Sequence, residues 1–223
     1  MTDPYYDQDL MLDWVRGKKT RIPAPLSVRS RWYRKVICHL LKEVISCPGG
    51  CILSIGAGTG ATEVDLTRAG FSVTASDIDK GSRTHCERLG LSTITLDVTR
   101  PQMPDARYDA LYMDGVLGHL TADADWTAIW RNLASLDSDY LLLSNDLADD
   151  DITPNHTVFG EPDAIFYRPV AGFFGNSAIQ SGLWFVKRSD VLRYHRPGRG
   201  IRRRELLMFR RVTDERTDDI RSR

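Results

Sequence analysis

The chain is defined first by what it lacks. Its 223 residues carry no net charge, with 30 basic side chains against 30 acidic ones. No global field therefore draws it to nucleic acid or to a membrane surface. No apolar run approaches the roughly 18 residues of a membrane-spanning helix. The first residues, MTDPYYDQDLMLDW, hold acids where a secretory signal needs positive charge, so a cytoplasmic location is expected. There are only 4 cysteines: Cys38, Cys47, Cys51 and Cys86. Cys47 and Cys51 flank Pro48-Gly49-Gly50, but no second Cys/His pair completes a zinc pattern, so free thiols and no metal are expected. Repeats and low-complexity tracts are absent. What is present is a hydrophobic fraction of 42%. That is enough for one domain with a sizeable core.

Residues 51–79 are the most informative. Cys51-Ile52-Leu53-Ser54-Ile55 reads as a buried strand, Gly56-Ala57-Gly58-Thr59-Gly60 as a tight turn, and 61–69 as a helix ended by Gly70. Residues 71–75 read as a second strand with Asp77 at its end. Glycines let the backbone approach a ligand, a helix N-terminus offers free N–H groups, and an acid after the second strand can accept both ribose hydroxyls. The turn also satisfies a dinucleotide pattern through Gly56, Gly58 and Ala61, a weak signal alone. Further on, residues 91–96 read as a third strand running into Asp97. Residues 108–113 read as a fourth that opens into Asp114-Gly115-Val116-Leu117-Gly118-His119-Leu120.

In that order these segments resemble the class I S-adenosylmethionine-dependent methyltransferases over residues 30–147. The resemblance implies an α/β fold, a seven-stranded, mostly parallel doubly wound sheet with an antiparallel C-terminal strand pair. It implies S-adenosylmethionine as cofactor. Gly56, Ala57, Gly58 and Gly60 would line the cofactor's methionine and ribose side, and Asp77 with Ile78 the ribose. Asp79 is a rival for that role, although Asp77 fits the family spacing better. Asp97 and Val98 would meet the adenine, Asp97 alternatively serving as a cap. Asp114 and Gly115 would lie near the methionine amine.

The rest of the chain divides into an N-terminal arm (1–27), the cofactor core (28–147), a long irregular substrate lid (148–180) and C-terminal strands with a tail (181–223). Apolar residues at Val28, Trp32, Val36, Leu40 and Val44, with Tyr33, Ile37 and Leu41 beside them, predict a helix over 28–46. Trp126, Ile129, Trp130 and Leu133 predict another over 125–134. Residues 140–143 read as the fifth strand. Two antiparallel strands follow, 183–188 or 191–196 and then 204–212, with a turn at Pro197-Gly198-Arg199-Gly200.

Charge is unevenly spread. Residues 16–35 and 187–204 are basic, while 137–163 hold Asp137, Asp139, Asp146, Asp149, Asp150, Asp151, Glu161 and Asp163 with no Lys or Arg. Carboxylates at a pocket mouth would favour a positively charged amine or guanidine. The sequence thus points to a small-molecule N-methyltransferase of specialised metabolism, with a small hydroxyl or, less readily, RNA as alternative acceptor. No NPPY-like tetrapeptide follows the fourth strand, which argues against methylation of nucleic-acid bases and protein amides. His119, Asp114 and Asp146 are the candidate bases. Tyr5, Tyr6, Asp146, Asp149 and Glu161 are candidates for binding the substrate. No membrane partner is expected, and a homodimer is left open.

Overall fold

A computed structural model describes residues 8–20, 23–101, 106–158 and 165–212. In chain order the elements are α1 (Gln8–Val15), α2 (Leu26–Arg29), α3 (Arg31–Lys42), β1 (Cys51–Ile55), α4 (Ala61–Arg68), β2 (Ser72–Ser76), α5 (Lys80–Arg88), β3 (Ser92–Ile94) and β4 (Tyr108–Asp114). Then come α6 (Trp126–Ser135), β5 (Ser138–Asp146), β6 (Asn155–Val158), β7 (Ile165–Arg168), α7 (Phe173–Gln180), β8 (Trp184–Arg196) and β9 (Gly200–Arg211). Seven strands form one sheet in the order β3-β2-β1-β4-β5-β9-β8. The first five pair in parallel, and β9 runs antiparallel between β5 and β8. Strand order reverses between β1 and β4, and in such sheets the ligand crevice opens at the carboxyl ends of those two strands.

The central strands are apolar on both faces because both are covered. Leu53, Leu111, Leu141 and Leu143 pack with Ile129, Trp130, Phe174 and Trp184 on the side of α6 and α7. Their neighbours Ile52, Ala110 and Leu142 pack with Tyr33, Ile37, Leu41 and Leu66 on the side of α3 and α4. Local signals set the helix starts: Ser30 Oγ accepts from Tyr33 N (3.1 Å) and Asp125 Oδ1 from Ala128 N (2.9 Å).

Two expectations are corrected. The helix predicted over 28–46 is broken at Ser30, which is extended (φ −116°, ψ 101°), and its inner face is Tyr33, Ile37, Leu40 and Leu41. Trp32 is 60% exposed: of the two adjacent apolar rows expected, that of Tyr33, Ile37 and Leu41 packs on the sheet together with Leu40. The segment 148–180 is not irregular throughout. It holds the antiparallel pair β6–β7 and then α7, whose Phe174 and Ala178 are fully packed into the core. Burial of that aromatic face, with Trp130 Nε1 donating to Ser177 Oγ (2.8 Å), makes α7 part of the sheet's cover rather than a lid. The C-terminal strands are longer than expected, and β8 unites the two alternatives through an irregularity between Val186 and Arg188.

Candidate functional site: a cleft at the strand-order reversal

The three glycines after β1 all have positive φ, but they do different work. A Cβ on Gly56 would stand 2.3 Å from Val116 Cγ2, so Gly56 lets β1 and the turn after β4 approach each other. A Cβ on Gly60 would crowd Cys86 and Leu89 at 3.1 Å, on the α5 side. Only Gly58 faces open space, with nothing within 4 Å of its missing Cβ. Gly56, Ala57, Gly58 and Thr59 line a cleft of about 770 Å³ together with Asp114, Gly115 and His119.

Asp77 lies directly behind this turn. Its Oδ2 accepts from Gly58 N and its Oδ1 from Asp79 N, both at 2.9 Å. Asp77 is buried, and that burial raises its pKa. Asp79 caps α5, Oδ2 accepting from Ser82 N (2.5 Å), so both acids after β2 are held by backbone N–H groups. Ile78 is 60% exposed beside it. Asp97 closes its own turn by accepting from Thr99 N (2.9 Å), and the buried Val98 gives its carbonyl to Asn132 (3.0 Å). Beneath the turn sits a recess lined by Ser54, Glu63, Thr62, Tyr112 and Asp114. The hydroxyls of Thr62 and Tyr112 are buried there without a partner in hydrogen-bonding geometry. Ser54 Oγ donates to Glu63 Oε1 (2.6 Å), and burial pushes the Glu63 carboxyl up to about 7. Sequence reading missed Glu63 because its partner lies on a different element, β1.

On the other side of the cleft the sheet face shared with α3 turns polar along every strand as it reaches the carboxyl edge. Leu142 gives way to Ser144 and Asp146, Tyr112 to Asp114, Leu206 to Arg204, and Leu192 to Tyr194 and Arg196. Antiparallel pairing sets Arg204 directly beside Asp146. Arg204 donates through Nε to Ser144 Oγ (2.7 Å), through Nη1 to Asp146 Oδ1 (2.6 Å) and through Nη2 to Asp114 Oδ1. Tyr33 OH donates to Ser144 Oγ (2.6 Å) and lies 3.1 Å from Asp114 Oδ1. Tyr194 OH reaches both Asp146 oxygens at 2.9 Å, and Arg196 Nη1 reaches Oδ2 at 3.3 Å. Burial alone would lower the Arg204 pKa, but Asp114 and Asp146 outweigh it and keep the guanidinium charged. Burial, then Asp146, raises Tyr194 to about 12.

The three candidate bases all line the cleft. Asp114 and Asp146 are each paired with a guanidinium in its wall. His119 stands on the turn after β4. It ends a 3-10 turn, lines the cleft, and meets the Phe166 ring edge-on at 5.2 Å. Phe166, from β7, fits there because Gly118 has no side chain: a Cβ would stand 2.1 Å from its ring. Trp14 of α1 and Leu26 also line the cleft, so the N-terminal arm does reach the site. Tyr5, Tyr6 and Glu161, expected to contact substrate, lie outside the described residues.

The acid-only stretch is matched by arginines from elsewhere in the chain. Asp149 receives Arg168 (2.8 and 2.9 Å) and Arg202; the Arg168 bonds lead in lowering its pKa to about 2. Asp151 receives Arg203 (2.7 Å), Asp139 receives Arg107 (2.9 Å) and Asp137 receives Arg211 (3.3 Å). Asp150 accepts from the backbone N–H of Ile152 and Thr153. Among the described residues no group of His, Cys, Asp or Glu has the arrangement to hold a metal ion, and no helix is long and apolar enough to cross a membrane.

The fold and the cleft together define an open α/β domain with a cleft at the glycine turn after β1. Residues 52–136 match the family model of the methyltransferase domain. The chain is 27% identical over 208 residues to the "tabtoxin biosynthesis enzyme" of Pseudomonas amygdali pv. tabaci, covering 87% of this chain and 78% of that one. Among solved structures it superposes on magnesium protoporphyrin IX methyltransferase of Synechocystis PCC 6803 with bound S-adenosylhomocysteine. The TM-score is 0.66 at 18% identity, over 94% of this chain and 98% of that one. It also superposes on 1,6-didemethyltoxoflavin-N1-methyltransferase of Burkholderia thailandensis (TM-score 0.63, 16% identity, 92% and 86% covered). The fold is the class I, Rossmann-like one of the S-adenosylmethionine-dependent methyltransferases.

Proposed function

We propose that this enzyme methylates a nitrogen or oxygen atom of a small molecule in a specialised biosynthetic route, with nitrogen favoured. The observation that carries the reading is the cleft itself, with Gly58 open to it on one wall and His119 and Tyr194 on the other. The residues fit the cofactor: Gly58 leaves room for it, Asp77 stands behind the turn, and the recess with Glu63 and the Thr62 and Tyr112 hydroxyls suits an ammonium group. When bound, the cofactor supplies a sulfonium-activated methyl group, so the chain's task is mainly alignment. His119 takes the acceptor's proton if that atom keeps one. Support for a specialised route comes from the relative named for tabtoxin biosynthesis. Of the acids behind an expected positive charge on the substrate, Asp146, Asp149 and Asp151 are paired with arginines of this chain, which weakens that expectation. RNA as acceptor loses support for the same reason: Arg196, Arg202, Arg203 and Arg204 are engaged by internal carboxylates.

Calorimetry with S-adenosylmethionine, S-adenosylhomocysteine and NAD tests the cofactor. Binding of NAD alone would overturn the reading. Once an acceptor is in hand, His119→Ala should lower turnover by about 10²–10⁴-fold with cofactor affinity kept. A drop below about tenfold would leave His119 as a wall for Phe166.

A further inference from the structure

We propose that Glu63 holds the ammonium group of the cofactor as a carboxylate, and that it gives up a proton when the cofactor binds. The inference rests on the methyltransferase reading. It names a further binding residue, and with it a pH control of loading, for the same cleft.

Glu63 stands in the first turn of α4 and is 3% exposed. It lines the recess of about 260 Å³ beneath the glycine turn. Ser27, Gly56, Ala57, Thr59 and Asp114 line both this recess and the cleft, so the two adjoin at the turn. The walls around Glu63 are polar, with Ser54, Thr62, Tyr112 and Asp114. Thr62 and Tyr112 are buried, and their hydroxyls lie close together without a hydrogen bond of good geometry. Two buried hydroxyls beside a carboxylate suit a ligand that donates several hydrogen bonds, as an ammonium does with its three.

Charge points to a cation. Asp146 meets Arg196 and Arg204, and Asp114 meets Arg204. Glu63 receives the Ser54 hydroxyl (2.6 Å) and its own backbone N–H. The charges that act on it most are Asp114 from β4 and Asp77 after β2, both of its own sign. The Cys86 thiol of α5 and the Tyr112 hydroxyl of β4 also interact with it, and burial pushes both up, so both are neutral at pH 7. From α3 comes Arg34, which Asp65 takes (2.6 Å). A buried carboxylate without a positive partner is held as the acid, and burial pushes this one up to about 7. An ammonium entering the recess supplies the missing charge, and the O–H proton of Glu63 leaves to solvent. The family resemblance sets the methionine amine near Asp114. Arg204 already occupies that carboxylate, and the acid next to it without a guanidinium is Glu63.

The test measures loading of the full chain by calorimetry between pH 5.5 and 8. The probes are S-adenosylhomocysteine, its des-amino analogue, which keeps the carboxylate, and 5′-methylthioadenosine, which lacks the amino-acid end. S-adenosylhomocysteine should bind about 10–30-fold more tightly at pH 8 than at pH 5.5, the slope that one released proton sets. Titrations near pH 6 in buffers of different ionisation enthalpy should show that release, close to one proton per site. Neither analogue should release a proton. Glu63→Gln should remove the release and weaken S-adenosylhomocysteine by about 10–150-fold at pH 8, the range for a hydrogen bond to a charged group, while affinity for the des-amino analogue is kept. Should Glu63→Gln fail to fold, the comparison of the three probes on the wild type decides. The proposal is overturned if the wild type binds S-adenosylhomocysteine without proton release, or if the des-amino analogue releases as much. Release that persists in Glu63→Gln overturns it too, by moving the proton to another group of the cleft. A chain that binds S-adenosylhomocysteine at no pH would break the cofactor reading, and the proposal with it.

Discussion

Carboxylates on the two sides of the cleft are held by different means. On the cofactor side Asp77, Asp79 and Asp97 accept from backbone N–H groups of Gly58, Asp79, Ser82 and Thr99. Toward the antiparallel edge, Asp114 and Asp146 in the cleft wall and Asp149 and Asp151 outside it are held by arginine side chains brought by β7, β8 and β9. Backbone donors are fixed by the strand-turn-helix path itself, so those acids belong to a preformed cradle that tolerates changes in neighbouring side chains. Guanidinium donors belong to the sheet's antiparallel edge, so the acceptor wall exists only when β8 and β9 are docked. One side is built by local chain geometry and the other by long-range pairing.

The sharpest way to break this contrast is Arg204→Ala. It would leave Asp114 and Asp146 buried without their shared partner. Breaking a buried pair from one side costs about 3–5 kcal/mol. Urea unfolding should show a loss of that size, accompanied by loss of acceptor binding. A loss below about 1 kcal/mol would mean that water replaces the guanidinium and that the wall is not an integral network.

On the cofactor side the glycines should separate function from folding. Gly58→Val puts a side chain into the open cleft and should abolish binding of S-adenosylhomocysteine while thermal unfolding stays cooperative, with some loss from strain at φ 53°. Gly56→Val should instead damage the fold, because Val116 occupies the space. Normal cofactor affinity in Gly58→Val would remove the turn from the cofactor site.

The same contrast explains what could be read from the chain. The glycine turn and the succession of strands in the parallel half were legible because each signal lies within a short stretch whose meaning depends on its neighbours. Arg204 lies 90 residues from Asp114 and 58 from Asp146, so no local pattern could join them. The two-residue period of β8 and β9 does place Tyr194, Arg196 and Arg204 on one face, but only once their register is known. On the helix after Ser30 two adjacent apolar rows were legible, and only packing against the sheet decided that Tyr33, Ile37 and Leu41 face inward while Trp32 does not. The acid-only stretch misled because sequence adjacency showed the like charges, whereas folding supplied the opposite ones.

Glu63 gives a pH-dependent test of the cofactor side. Burial raises its carboxyl from 4.5 to about 7, so the folded chain holds a proton there that the unfolded chain gives up above about pH 4.5. Its contribution to stability is therefore full below pH 4.5 and is lost as pH rises through 7. Glu63→Gln, which keeps a partner for Ser54, should change stability little at pH 4 and raise it by up to about 3 kcal/mol near pH 8 in the absence of cofactor. Melting curves of both proteins across that range measure it. Parallel curves for wild type and variant would show that Glu63 is hydrated and titrates as an ordinary carboxylate.

The smallest effect is expected where the arginine-held acids come to the surface. Asp149 and Asp151 have side chains 53% and 68% exposed, so solvent and salt screen their pairs with Arg168, Arg202 and Arg203. Asp151→Asn should leave stability and kinetics unchanged at physiological salt, and Asp149→Asn should cost less than about 1 kcal/mol. For Asp149 the depressed carboxyl sets the pH window: its contribution holds at neutral pH and fades as pH falls below the ordinary carboxylate range toward about 2. Neither substitution should raise KM, because neither side chain lines the cleft. Measured with an amine substrate, a clear rise in KM for either variant would restore the acidic loop to substrate recognition.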